Sequence, residues 1–266
     1  MNRFFNIITI LLGTILLSSC AKKQQELKIS GGTAHLKIMQ VMAKKFQETH
    51  PNVKVSIAGG GSGVGIKQVG EGIVDIGNSG RNLKESELLK YPILPHRIAI
   101  DAIAVIVNPN CKVKSLTTKQ LTDIFSGKIT NWKELGGNDA KINIYSRDKN
   151  SGTRATFQKV ALNSQNISDA ANIVKSNGDM KVNIARDKNS IGYMSFGNLD
   201  NTVTPLIIDQ VEINIENITS HKYKIQRSLF SVTQKEESEI VKDFIALLLS
   251  DWGQNVVKEH KFIPVK

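Results

Sequence analysis

Three times along this chain of 266 residues, a strand-like run enters glycine with serine or threonine and leaves as a helix. The segments are Gly31-Gly32-Thr33, Gly61-Ser62-Gly63 and Ser151-Gly152-Thr153. Leu27 to Ser30 leads into the first, and Leu36, Met39, Ala43 and Phe46 follow it at helical spacing. Val53, Val55 and Ile57 alternate before the second, and Ile66, Val69 and Ile73 recur after it. Ile142 to Tyr145 precedes the third, whose helix holds Phe157 and Val160. Units of this kind bury their apolar faces by laying helices on a sheet, which predicts an α/β fold.

The rest of the chain continues the alternation. Val74 to Ile76 is a brief strand that runs into Asn78-Ser79-Gly80-Arg81. Ile98 to Val107 is nearly continuous apolar sequence, as a strand covered on both faces requires. Thr117 with Gln120 and Asn131 with Glu134 have the spacing of capping boxes, the first opening a helix that Gly127 closes. Ile191 to Phe196, Val203 to Ile208 and Leu229 to Val232 are predicted strands, and Ile240 to Leu249 is the core of a C-terminal helix packed on the first sheet. The run at 98–107 and a return at 199–206 are the predicted crossings between two lobes. Residues 27–103 plus 206–266 then form the first lobe and 104–205 the second, each a mostly parallel sheet flanked by helices, with a ligand in the interlobe cleft.

The N-terminus reads as an export signal. Asn2 and Arg3 precede the apolar run Phe4 to Leu17, which is too short to span a bilayer comfortably. Leu17-Ser18-Ser19-Cys20 has the layout of a bacterial lipobox, so residues 1–19 are expected to be removed and Cys20 to carry the lipid. Acyl chains would tether the rest to a membrane without a spanning helix, through a polar linker at residues 20–26. One further cysteine, Cys111, remains, so no internal disulfide can form and stability rests on a buried core. The formal charge of +11 is spread along the chain without a basic arm, which argues for a solvated surface tolerant of anions and against nucleic acid as a partner.

Each of the three turns offers unpaired backbone N–H groups and a hydroxyl at a helix start, where negative charge is favoured. Taken singly, each is also an ordinary N-cap with a turn glycine. Together, with Arg147 just before the third, they point to a converged oxyanion pocket, because a guanidinium adds a fixed fork of donors. Other chemistries fail on spacing. Gly59 to Gly65 fits neither a dinucleotide fingerprint nor a phosphate-loop NTPase motif. His35, His50, His96, His221 and His260 lack a paired spacing for zinc, and no serine elbow has a histidine and acid to match. No catalytic residue, metal or cofactor is expected.

These loops resemble, in order and at similar spacing, the phosphate-binding proteins of phosphate-specific ABC transporters, in the class II periplasmic-binding-protein superfamily. The resemblance covers nearly the whole chain after the signal. Its marks are Gly59-Gly60-Gly61-Ser62-Gly63, Val74-Asp75-Ile76-Gly77-Asn78-Ser79, the stretch from Leu121 to Trp132, Ser146-Arg147 with Ser151-Gly152-Thr153-Arg154, and Ile191-Gly192-Tyr193. It implies that Thr33, the Ala34 amide and Ser62 hold phosphate from one lobe, and that Arg147, Ser151, Gly152 and Thr153 close over it from the other. It also implies that inorganic phosphate is handed to a membrane permease; a monomer suits the hinge closure of two lobes best. Many members carry an aspartate after the serine matching Ser79, which accepts the proton of hydrogen phosphate; this chain has Gly80-Arg81 there. Ser79, Gly80 and Arg81 are therefore a further candidate set, with Asp75, Asp101 or Asp148 as substitute acceptors. Receptors for sulfate, molybdate or tungstate, and an exported phosphatase, stay open as alternatives.

Overall fold

The computed structural model describes residues 24–266, so the signal segment and Cys20 lie outside the described residues. The strands in chain order are β1 (Gln25–Gly31), β2 (Val53–Gly60), β3 (Ile76–Ser79), β4 (Ile93–Val107), β5 (Ser115–Leu116), β6 (Asn143–Arg147), β7 (Asn172–Val174), β8 (Ser190–Ser195), β9 (Thr204–Pro205), β10 (Ile207–Ile208) and β11 (Gln226–Gln234). The helices are α1 (Leu36–Thr49), α2 (Ser62–Gly70), α3 (Glu85–Lys90), α4 (Thr118–Phe125), α5 (Gly152–Thr156), α6 (Asn177–Arg186), α7 (Ile215–Thr219), α8 (Glu239–Leu249) and α9 (Asp251–Glu259). Both capping boxes form, at Thr117 with Gln120 and at Asn131 with Glu134. Gln25 and Glu26, expected in the tether, instead pair with Val53 and Lys54 as the first residues of β1.

One mixed sheet runs in the order β2-β1-β3-β11-β4-β8-β6-β7, with β9 beside β4. Its outer strands are parallel on each side: β2, β1 and β3 at one end, β8, β6 and β7 at the other. Between them β4 and β11 run antiparallel to their neighbours. β4 is long enough to serve both halves. Its Ile93–Ala102 part pairs with β11, and its Ile103–Val107 part pairs with β8.

Two apolar cores flank this shared strand, giving a two-lobed α/β fold. The first gathers Leu27, Ile29, Met39, Phe46, Ile98 and Leu229, and Phe244 and Leu248 of α8 pack into it as the sequence predicts. The second gathers Ile103 to Val107, Phe125, Phe157, Tyr193 and Met194. The outgoing crossing lies at Ala99–Ile103: Ala99 belongs to the first core and Ala102 to the second, and the strand partner of β4 changes from β11 to β8 between Ala102 and Ile103. The return lies later than expected: Leu206, Ile208, Ile213, Ile218, Tyr223 and Ile225 all belong to the second core. β10 pairs with β5 there, and the chain comes back only as β11 begins. Short strands at 203–208 alternate like a crossing strand, but their partners keep them in the second lobe.

Candidate functional site

The three glycine turns of the sequence meet at one small cavity between the lobes. Gly32, Thr33 and Ala34 line it between β1 and α1; Gly61 and Ser62 line it where β2 passes into α2; Ser151, Gly152 and Thr153 line it where α5 starts. Arg147, at the end of β6, faces it as well. Every residue named for the anion from the two lobes is thus brought together. Two further residues join them, Gly80 after β3 and Arg227 on β11.

Close backbone approach explains the glycines. Gly61 holds φ at +89°, a region L-residues avoid, and a Cβ there would stand 2.7 Å from the Asn150 carbonyl. The Gly63 N–H donates to that same carbonyl at 3.0 Å, tying the start of α2 to the loop that opens α5. A Cβ on Gly152 would overlap Ser62 Oγ and lie 2.9 Å from the Gly80 carbonyl carbon. The lobes are therefore in mutual contact at this point. Asn177 of α6 adds to the closure by donating its backbone and side-chain N–H groups to Thr33 Oγ1 at 3.3 and 3.1 Å.

Arg147 is almost completely buried. Its Nε donates to the Val174 carbonyl at 3.2 Å and its Nη2 to the Lys175 carbonyl at 2.8 Å, which fixes the fork against the cavity. Burial pushes its pKa down from the ordinary arginine value, with Asp148 opposing. The residue's backbone N–H donates to the Tyr193 hydroxyl at 3.1 Å, and that ring stacks on Phe157 at 3.9 Å between centroids. The Ile191-Gly192-Tyr193 segment so acts by seating β6, not by reaching the cavity.

The second guanidinium is that of Arg227, which residue patterns alone do not single out. Arg227 and Asp101 stand directly opposite one another in the antiparallel β11–β4 pair. Nε and Nη2 donate to Asp101 Oδ2 at 2.9 and 2.8 Å, while Nη1 reaches the Gly80 carbonyl at 3.1 Å and Thr153 Oγ1 at 2.8 Å. Burial pushes the Asp101 carboxyl up, and the adjacent Arg227 charge pulls it back. One signal pointed there: an aspartate inside a nearly continuous apolar run has to be paired with a buried cation.

The candidate set at 79–81 divides. Gly80 lines the cavity, and its N–H donates to Ser62 Oγ at 2.9 Å. Ser79 does not reach it; its hydroxyl donates to the Arg81 carbonyl at 2.8 Å and closes the turn. Arg81 points away, with Nη1 and Nη2 on the two carboxylate oxygens of Glu87 at 2.8 and 2.6 Å. That forked pair also caps α3, since Glu87 Oε2 accepts the Lys84 N–H. Of the substitute acceptors, Asp101 is taken by Arg227, Asp75 accepts the Lys28 N–H at 2.7 Å, and Asp148 accepts the Asn150 N–H at 2.8 Å. No carboxylate lines the cavity among the described residues.

His35 lies under the first turn, fully buried, with Nδ1 donating to the Gly32 carbonyl at 3.2 Å. Burial, and then the Arg227 charge, lower its pKa from 6.5 to about 3. The imidazole is neutral in the fold and takes up its proton at about 6.5 when unfolded. Its contribution to stability is therefore complete above pH 6.5 and is lost as the pH falls towards 3. Urea unfolding at pH 6.5 and pH 5 should show a loss of about 2 kcal/mol from this residue, and His35→Gln should flatten that part of the profile. An unchanged slope in the variant would disprove the assignment.

The PBP superfamily domain model matches residues 18–251. Phosphate-binding protein PstS of Bacillus subtilis is 38% identical over 92% of this chain and 82% of its own length. PstS of Borreliella burgdorferi is 32% identical over 98% of each. A Clostridium perfringens substrate-binding protein assigned to phosphate ABC transport, solved with phosphate bound, superposes with a TM-score of 0.87 at 38% identity, covering 91% of this chain and 100% of that one. An ABC-type phosphate transport receptor from Vibrio cholerae gives 0.73 at 32% identity, with 89% and 99% covered. The chain belongs to the PBP superfamily and, within it, to the substrate-binding proteins of phosphate ABC transporters, which are not enzymes.

Proposed function

We propose that this protein captures inorganic phosphate outside the cytoplasm and delivers it to the membrane permease of an ABC importer, held near it by a lipid on Cys20. The observation that carries the reading is the convergence of all three glycine turns and Arg147 on one small cavity between the lobes. Taking a multiply charged anion out of water requires donors for nearly all its oxygens. Four hydroxyls, the backbone N–H groups of the turns and two guanidiniums surround the space, so the cavity can meet that demand. The crossings at Ala99–Ile103 and Ile225–Gln226 are the proposed hinges about which a monomer opens to admit and release the ion. No described helix is long and apolar enough to cross a membrane, so membrane attachment in this reading falls to the lipid.

One experiment tests capture and anchoring together. Cells producing the full chain are fractionated, and the purified, anion-stripped protein from each fraction is titrated with radiolabelled phosphate. The membrane fraction should bind one phosphate per chain, and Cys20→Ala should move that binding to the soluble fraction. Absence of phosphate binding in both fractions would sink the reading.

A further inference from the structure

We infer that Asn177 is a positioning residue for the bound anion: from the second lobe it fixes the hydroxyl of Thr33 in the first, and so sets how long the ion is held. The inference rests on the phosphate reading of the cavity. Thr33 follows β1 in the first lobe, Asn177 opens α6 in the second, and both are buried. Asn177 places two donors on one oxygen, its backbone N–H at 3.3 Å and its Nδ2 at 3.1 Å from Thr33 Oγ1. A hydroxyl oxygen has two lone pairs and one proton. With both lone pairs taken, Thr33 has its proton alone to offer a ligand. The other cavity hydroxyls are less constrained: Ser62 Oγ, Ser151 Oγ and Thr153 Oγ1 each receive one protein N–H, from Gly80, Arg154 and Arg227.

Both donors are free for this task for local reasons. Ser176 caps α6 by accepting the Asp179 N–H at 2.9 Å, and the Asn177 N–H, in the first turn, has no partner within the helix. The side-chain amide is held in one orientation, because Oδ1 accepts the Ser195 N–H at 3.1 Å and a flipped amide would set two donors against each other. Beside it Asn198, which follows β8, donates Nδ2 to the Ala34 carbonyl at 3.3 Å. Two asparagines of the second lobe thus grip the first-lobe turn, and Asn177 is the one that reaches a cavity hydroxyl. Bonds across the lobe boundary form only after the ion has entered and the lobes have met. They therefore slow release and leave capture by the open protein unchanged.

The test is rapid-mixing measurement of phosphate capture and release by the full-length, anion-stripped protein. Asn177→Ala should speed release about tenfold, as loss of one buried hydrogen bond implies, and leave the capture rate within about twofold. Thr33→Val removes the hydroxyl and keeps the shape. Adding Asn177→Ala to it should speed release no further, because the asparagine acts through that oxygen. Amide exchange of the wild type gives a readout that needs no variant: the Asn177 N–H should exchange freely in the stripped protein and become protected with phosphate bound. An unchanged release rate in Asn177→Ala, or effects of the two substitutions that multiply, would overturn the inference. So would a capture rate that falls as far as release rises, or an Asn177 amide protected equally with and without phosphate. In each of these cases phosphate still binds, and the phosphate reading stands. A wild type that binds no phosphate would overturn both.

Discussion

Arg227→Met is expected to destabilise the protein by about 3–5 kcal/mol, the cost of leaving a buried charge without its partner. The side chains of Arg227 and Asp101 are 2% and 0% exposed, so solvent cannot take over when the guanidinium is removed. The two residues are also register partners in the β11–β4 pair, which leaves Asp101 no room to swing towards water. Methionine keeps most of the volume, so the loss is one of charge more than of packing. Asp101→Asn in the same chain should restore much of the stability, because the uncompensated carboxylate is then gone. Urea unfolding of the wild type, both single variants and the double variant measures the coupling directly. A loss below about 1 kcal/mol in Arg227→Met would show that the pair does not hold the shared strands together.

That pair also marks where sequence reasoning runs out. The glycine turns were legible because local rules govern them: a strand end, a residue free to take positive φ, and a hydroxyl at a helix start need nothing distant to be recognised. Arg147 was legible for the same reason, lying close before one of those turns. Arg227 contacts Gly80 and Thr153 only because β11 returns between the two halves, and no local pattern encodes that return. Asp101 did announce an unmet need within an apolar strand, but a charge can state that it needs a partner without saying which.

Arg81 shows the opposite failure. It follows directly on a residue that lines the cavity, yet its side chain leaves the site for Glu87, which must also cap α3. The position of a long side chain in the sequence says little about where its head group ends up. The late return of the chain has a similar origin. Residues 203–208 have the alternation of strands in either lobe, and only their pairing with β4 and β5 assigns them to the second. Periodicity reports which side of a strand is buried, not which core buries it.

Gly152→Val should leave the unliganded fold nearly unchanged and still cost on the order of 100-fold in phosphate affinity, about 3 kcal/mol. The two effects separate because Gly152 belongs to the second lobe, whereas the atoms its side chain would strike belong to the first. A Cβ here overlaps Ser62 Oγ and stands 2.9 Å from a backbone carbon of Gly80. The serine can rotate away, but the Gly80 backbone is fixed by the Arg227 hydrogen bond to its carbonyl and by its own bond to Ser62. A branched side chain therefore resists contact between the lobes without disturbing either core. Only the closed, liganded state is penalised, and a ligand that must close the lobes loses affinity by that amount. Calorimetry with phosphate and urea unfolding of the stripped protein distinguish the two contributions. Equal losses in stability and affinity would mean that Gly152 is needed by the fold of its own lobe instead of by closure.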